Sequence, residues 1–267
     1  MQTKVKAFLL SLVSVCCIQW KAVSQELPFE PGESLTYAVY YYLMGVWVGA
    51  GDVTFSVKED EFMNKPCLNF TGEGKTHPRY EWFYTVRDTY EAYADAQDLS
   101  PYRFKRDINE GSFYMKEDCI FDQRRDRVIS VLKVKENPIR VDTSDLEDNT
   151  FDVLSLIYQA RRIDFDKAKP GEKIPIKMFI DRETHDLFIR YQGVEIYNHD
   201  EYGEVACHVF SPLLVQGTIF KEGEGMKVYV TKDKNLIPIY VESEIRVGSI
   251  RAKLKSTKNL KYPLFQN

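Results

Sequence analysis

Histidine is scarce in this chain of 267 residues, with only 4, and none of the four (His77, His185, His199, His208) stands at i, i+4 from another or at a zinc spacing from cysteine. No metal and no cofactor is therefore expected. Cysteine is nearly as sparse: of 5, Cys16 and Cys17 fall in a leading apolar stretch, leaving Cys67, Cys119 and Cys207. An odd number permits at most one internal disulfide, and the three read best as buried small apolar side chains. Linkers rich in Pro or Ser are missing, as are internal repeats, which favours one domain over two. No apolar run approaches the roughly 20 residues that cross a bilayer as a helix, so no transmembrane segment is expected. Basic residues are not in excess, with Lys+Arg 36 against Asp+Glu 40 and a net charge of −4. A nucleic-acid surface needs the opposite balance, and the short run Arg124-Arg125-Asp126-Arg127 reads as a solvated turn between strands.

What is present begins with an export pattern. Lys4 and Lys6 precede an apolar run over residues 8–18, and Ala22-Val23-Ser24 offers small residues for cleavage. Residues 1–24 are expected to be a cleaved signal peptide, and 25–267 a single β-rich domain in the periplasm or outer envelope of a Gram-negative bacterium. Val15 and Cys16 do not suit a lipoprotein signal.

From there the pattern has period two, broken by Gly, Pro, Asp and Asn clusters. Leu35, Tyr37, Val39 and Tyr41 alternate with Thr36, Ala38 and Tyr40. A strand over 46–57 carries Gly45, Gly49 and Gly51, which suit bulges in a bent strand. Further strands are expected at 67–72, 89–94, 102–108, 112–121, 128–135, 174–180, 226–231, 239–247 and 249–257. At 174–180, Ile174, Ile176, Met178 and Ile180 are expected to share the buried face. Gln192-Gly193 reads as a two-residue hairpin turn, which sets Asp186 opposite His199 and His185 opposite Asp200. One segment has helical spacing: Phe151, Leu154 and Tyr158 over 150–163, with Asn149 or Thr150 as cap. A short helical turn is expected at 79–85 after Pro78. About a dozen antiparallel strands and one amphipathic helix suit a strongly curved sheet or partly open β-barrel with the helix against it, an all-β fold.

Motifs of chemistry are weak. Gly72-Glu73-Gly74-Lys75-Thr76 ends like a phosphate loop, but Asn69 stands where its first Gly belongs and Pro78 interrupts the helix that must follow. Gly45 to Gly51 lacks the third Gly of a dinucleotide fingerprint, with Thr54 in its place. No Gly-x-Ser-x-Gly elbow occurs. Asp88, Glu91, Asp95 and Asp107 are candidate pocket-wall acids. The aromatic load stands out: 17 Tyr and 16 Phe, densest near 37–47 and 80–93. Such side chains fill the core of a wide sheet or line a cavity for an apolar or sugar-like ligand.

Phe29-Glu30-Pro31-Gly32-Glu33-Ser34-Leu35-Thr36-Tyr37, the run from Gly45 to Gly51, Thr76 with Trp82-Phe83-Tyr84-Thr85-Val86-Arg87-Asp88, and Tyr229 through Ile239 closing at Val247-Gly248-Ser249-Ile250 resemble the bacterial exported domain-of-unknown-function family 3108. The resemblance implies an extracytoplasmic single β domain and supplies no catalytic residue. The outline is similar to the open half-barrel of periplasmic lipoprotein carriers, by analogy of fold alone.

The function expected from this reading is non-enzymatic binding of a lipid, acyl chain or lipoprotein segment in a curved-sheet cavity lined by Tyr41, Trp47, Tyr84, Tyr90, Leu154 and Tyr158. Two alternatives stand beside it. One is an envelope hydrolase or sugar-active enzyme using Asp88, Asp107 or the His-Asp pairs. The other is an assembly subunit that offers a strand edge or aromatic patch to another envelope protein.

Overall fold

Residues 26–43, 45–82, 84–215, 223–245 and 248–265 are described by a computed structural model. The expected signal segment and the end of the strand expected at 239–247 lie outside these residues. Fifteen strands among the described residues form one sheet: β1 (Ser34–Leu43), β2 (Val46–Phe62), β3 (Lys65–Thr76), β4 (Arg87–Asp95), β5 (Pro101–Glu110), β6 (Phe113–Asp122), β7 (Arg127–Val134), β8 (Arg140–Asp145), β9 (Thr150–Phe151), β10 (Lys173–Ile180), β11 (Glu183–His199), β12 (Gly203–Pro212), β13 (Met226–Thr231), β14 (Pro238–Glu244) and β15 (Ser249–Lys258). The spatial order runs from β8 down to β1, then from β15 down to β9. Two meanders are thus joined through the β1–β15 pair, antiparallel throughout except for the short β9–β10 contact. The sheet curls without closing, and β8 and β9 are its two edges.

The helix α1 (Val153–Ala160) forms inside the expected 150–163, but Thr150 and Phe151 belong to β9 and the cap is Asp152, not Asn149 or Thr150. The Asp152 carboxylate accepts from the backbone N–H of Leu154 at 2.9 Å and of Ser155 at 3.0 Å, satisfying donors that a helix start leaves unpaired. α1 lies on β3, β4, β9 and β10; the sheet face it covers is the inner face. Inner residues then follow from alternation: Tyr37 on β1, Ala92 and Ala94 on β4, Phe104 on β5, Cys119 and Phe121 on β6, Val128 on β7, all buried. The turn expected after Pro78 is a single 3-10 turn, Pro78–Tyr80.

Three packed clusters fill one half of the curled sheet. Phe29, Phe70, Leu154 and Tyr158 centre the first, with Tyr158 stacked on Phe70 at 4.1 Å and Phe29 edge-on to Tyr158 at 4.9 Å. Leu35, Tyr37, Cys207, Ile239 and Leu254 make the second, and Phe165, Tyr191, Phe210 and Val230 the third. A buried ion pair ties them together. Arg161, just past α1, donates to Glu33 at 3.0 Å and to the Asn235 carbonyl at 2.9 and 3.1 Å. A buried guanidinium needs partners on several sides, and these two come from remote parts of the chain. All three described cysteines are free and buried, and burial raises the Cys67 thiol to about 11 and those of Cys119 and Cys207 to about 12.

Two strand expectations change. Gln192-Gly193 is not a hairpin turn: β11 runs unbroken for 17 residues and absorbs the pair as a bulge against β12, with Gly193 at φ +115°. The strand at 174–180 does not bury one face alone. Ile174 and Ile176 pack on the third cluster while Phe179 meets Phe121 of the first at 5.6 Å, because β10 lies at the curled edge between the two. Gly49 and Gly51 behave as expected, whereas Gly45 lies in the β1–β2 turn at φ +85°. The register between β1 and β2 shifts where Val39 faces Gly51 and Tyr40 faces Gly49, and a Cβ on Gly51 would lie 2.1 Å from the Lys75 carbonyl oxygen.

Candidate functional site

The two ends of the curled sheet differ. At one end, where the β2–β3, β4–β5 and β6–β7 turns lie, α1, residues 161–168, the 232–237 loop and residues 259–265 fill the interior. At the other, several inward-facing apolar side chains are only half-buried, although Ile108, Arg106 and Glu117 on the same face are buried. Tyr41 on β1, Tyr90 on β4, Met115 on β6, Leu132 on β7, Leu187 on β11 and Ile250 on β15 share the inner face by alternation with the buried residues above, yet each keeps intermediate exposure. A sealed shell would bury them as it buries Phe104 at 1% and Leu254 at 2%. They mark the less completely filled end of the curl, the mouth, opposite the packed helix.

Charges inside this mouth are arranged in two groups. Arg106 on β5 is buried, donates through Nε to Glu117 at 2.8 Å and through Nη2 to Asp181 of the β10–β11 turn at 2.7 Å. In the same turn Arg182 stands 3.7 Å from Glu117 and 3.4 Å from Asp142, and its carbonyl accepts from the Ser144 hydroxyl at 2.7 Å. This network clasps the β10–β11 turn to β5, β6 and β8. The second group is a carboxyl pair. Asp88 and Glu110 are hydrogen-bonded to each other, and the pKa of each is raised, chiefly by burial, with the neighbour's charge adding to the effect on Glu110. Asp88 also accepts from the Asn109 N–H at 2.9 Å.

The six residues expected to line a cavity divide among four places. Tyr41 and Tyr90 line the mouth. Tyr84 stands on its rim, 48% exposed, with its ring beside Gly111, where a Cβ would lie 3.0 Å away. Leu154 and Tyr158 belong to the packed floor and face no opening. Trp47 lies on the outer face, under the Arg251 guanidinium at 4.0 Å and beside Tyr42 at 5.0 Å. Hollow space beneath α1 is not found: a Cβ at Gly72 would already meet Leu154 at 3.3 Å.

Groups named for hydrolysis do not converge. Asp107 faces outward to Lys116 at 2.9 Å, whereas Asp88 faces the mouth. The pairing of His185 and His199 with Asp200 and Asp186 fails because the hairpin that would create it is one strand. His199 accepts from the Glu201 N–H and its Nε2 lies 2.9 Å from the Leu254 carbonyl, Asp200 meets Lys253 at 2.6 Å, and Asp186 lies 3.6 Å from Lys177. Among the described residues no group of three or more His, Cys, Asp or Glu is placed to hold a metal ion, and no helix is long and apolar enough to cross a membrane.

Two cavities lie at the filled end, and sequence reasoning missed both. One of about 210 Å³ is lined by polar groups including Gln123, Glu147, Gln159 and Arg162. The other, about 370 Å³, is lined by Ile163, Phe165, His208, Lys232 and Leu236 among others. Volume favours the second, since ligand sites usually span about 300–1,000 Å³. His208 there lies 2.9 Å from the Tyr191 hydroxyl and 3.9 Å from Asp166, and burial lowers its pKa. Most of its charges, however, have partners: Lys232 lies 3.2 Å from Asp166, Lys167 2.6 Å from Asp164, Lys234 lies over the Tyr262 ring at 5.6 Å, and Asp233 accepts three backbone N–H groups, from Asn235, Leu236 and Phe265. This cleft is a junction that seats residues 161–168, and the mouth is the stronger candidate site.

An antiparallel sheet that curls into an incomplete barrel, floored by one helix and open at the other end, is the class that fold and site define. The chain belongs to the family described as "Protein of unknown function (DUF3108)", whose model matches residues 36–255. Among solved structures it is similar to a β-barrel-like protein of domain of unknown function DUF1849 from Brucella abortus, with 11% sequence identity and a TM-score of 0.55, over 89% of this chain and 100% of that one. At that identity the likeness shows the fold alone. No curated protein matches.

Proposed function

We propose that this chain is an extracytoplasmic binding protein that takes an apolar or amphiphilic ligand, such as a lipid or acyl chain, into the mouth of its half-barrel without chemical change. The observation that carries this reading is that Tyr41, Tyr90, Met115, Leu132, Leu187 and Ile250, apolar side chains on the inner face, are left only partly buried at one end of the sheet. Leaving apolar side chains unsealed sacrifices about 25 cal/mol per Å² of burial, and an apolar guest recovers it. Polar groups at the same opening, Asp88, Glu110 and the Arg106 network, suit the polar end of an amphiphile. The amino-terminal export pattern supports the compartment.

The test is native mass spectrometry of protein extracted gently from its host. Wild type is expected to carry an adduct of lipid mass. The double variant Ile250→Asp with Leu132→Asp, which charges both flanks of the mouth, is expected to lose it while keeping its secondary structure. A bare polypeptide from wild type, or an adduct the double variant retains, refutes the reading.

A further inference from the structure

The smaller of the two cavities is built differently from the larger cleft. Four separate segments supply its polar walls: the β4–β5 turn gives Asp98 and Ser100, the β6–β7 turn Gln123, the connection into β9 Glu147, and the end of α1 Gln159 and Arg162. Hydrogen bonds set these walls in place. Asp95 accepts from the backbone N–H of Gln97 at 2.8 Å and of Asp98 at 3.3 Å, and Asp98 accepts in turn from the Ser100 N–H at 2.8 Å. Leu99 between them is fully buried, which anchors the turn. Gln123 donates through Nε2 to the Pro101 carbonyl at 3.1 Å, tying the two turns together, and Arg162 donates through Nη1 to Gln159 Oε1 at 3.0 Å. Walls fixed in advance spare a guest the cost of ordering them.

The chemistry of the lining selects a class of ligand by exclusion. Phe151 is its one apolar wall residue, so an acyl chain would strip water from polar groups without replacing their hydrogen bonds. Charge is close to balanced: one guanidinium, Arg162, stands with Asp98 and Glu147, and Glu147 is already paired with Lys177, which favours neither an anion nor a cation. Among the described residues no three His, Cys, Asp or Glu groups are placed for a metal ion. A neutral molecule dense in hydroxyls fits what is left. Each hydroxyl both donates and accepts, as a side-chain amide does at its two ends, and carboxylates accept from hydroxyls. At about 210 Å³ the cavity lies below the roughly 300–1,000 Å³ of sites for larger ligands, which leaves room for one ring and not for a chain.

We propose that this cavity binds one neutral pyranose ring, as a free sugar or as the terminal unit of a glycan. With their other ends engaged, Gln159 offers Nε2 as a donor and Gln123 offers Oε1 as an acceptor. Asp98 and Glu147 accept from ring hydroxyls, and the Ser100 hydroxyl serves in either sense. The site is separate from the mouth, which lies at the opposite end of the sheet.

Saturation-transfer difference NMR tests it. The purified protein is presented separately with glucose, galactose, mannose and N-acetylglucosamine, with a trisaccharide of any sugar that responds, and with glutamate and inorganic phosphate as charged probes. At least one neutral sugar is expected to receive saturation. Transfer confined to one terminal ring of the trisaccharide identifies a glycan end as the ligand, and a response by the monosaccharide alone identifies a free sugar. Gln159→Leu, which removes the amide and keeps a helix-forming residue, is expected to weaken binding about fivefold, the weight of one hydrogen bond. Ser100→Phe, which fills the cavity, is expected to abolish it. Asp166→Asn, in the larger cleft, is expected to leave it unchanged, with melting temperatures equal to wild type in all three. No transfer to any neutral sugar overturns the proposal, as does transfer that both cavity variants retain in full, or stronger binding of glutamate or phosphate than of every sugar. A lipid adduct in the mouth is expected to persist in both cavity variants, which keeps this test separate from the mouth reading.

Discussion

One end of this half-barrel is filled with side chains and the other less completely, although the same strands run through both. At the filled end Phe29, Phe70 and Tyr158 interlock and Arg161 joins Glu33 to the Asn235 carbonyl. At the mouth, side chains of the same kind and the same inward orientation remain half-exposed. The sheet is common to both ends, so the difference comes from the segments laid into it. Stability resides at the filled end, where buried charge and aromatic packing are costly to disturb, and the mouth is left free to change.

The sharpest way to break that comparison is to attack the floor. Arg161→Met leaves Glu33 buried without its partner and is expected to cost about 3–5 kcal/mol in chemical denaturation, while the double change Glu33→Met with Arg161→Met recovers most of it. A loss under about 1 kcal/mol from the single change would mean that the floor does not depend on the pair. Next in size is a labelling contrast on one strand. Met115→Cys in the mouth is expected to react with a thiol reagent on the order of a hundredfold faster than Cys119, which is 1% exposed with its pKa raised to about 12. Equal rates in the native state would show the mouth to be sealed. Asp152→Ala removes the α1 cap and should lower stability by about 1–2 kcal/mol, measured as a shift in denaturant midpoint with unchanged slope.

The smallest effect concerns Asp88 and Glu110. Their pKa values in the folded chain lie above the unfolded values of 3.8 and 4.5, so the folded state holds protons more tightly there. Their contribution is therefore fully present below the unfolded pKa and is lost as pH rises through the folded values. Asp88→Asn relieves the strain of ionising both groups and is expected to raise the melting temperature by on the order of 2 °C at pH 7.5, with no gain at pH 4. The same gain at both pH values would show that the pair does not titrate with folding.

Much of the scaffold was legible from residue spacing. Leu35 and Tyr37 reported their strand and Leu154 and Tyr158 their helix, since side-chain period is set by backbone geometry, whereas Phe151, read into the same helix, lies in β9. Cys67, Cys119 and Cys207 behave as the buried apolar thiols expected. Gln192-Gly193 misled because a glycine with positive φ serves a bulge as well as a hairpin turn, and only the partner strand decides which forms. The site was legible in part. Alternation tells which face Tyr41, Tyr90 and Trp47 occupy, and the bulge opposite Val39 shifts that phase for Trp47. It does not tell which end of a strand will be filled, so Leu154 and Tyr158 were grouped with Tyr41 and Tyr90 though packing separates them. The pairing of Asp88 with Glu110 needs the β4–β5 register, which the sequence leaves open by a residue or two.

Because β1 and β15 zip together in the centre of the sheet, its two edges lie next to each other in mid-chain, joined by residues 146–149. A nascent chain can assemble the β1–β8 meander from local hairpins, but β1 awaits its second neighbour until the last strand has been made. Completion of the scaffold is consequently a late event. Opening the backbone at 146–149 should leave two pieces that meet along the β1–β15 seam and again where α1, Arg161 and Asp181 of the second reach β3, β4, Glu33 and Arg106 of the first.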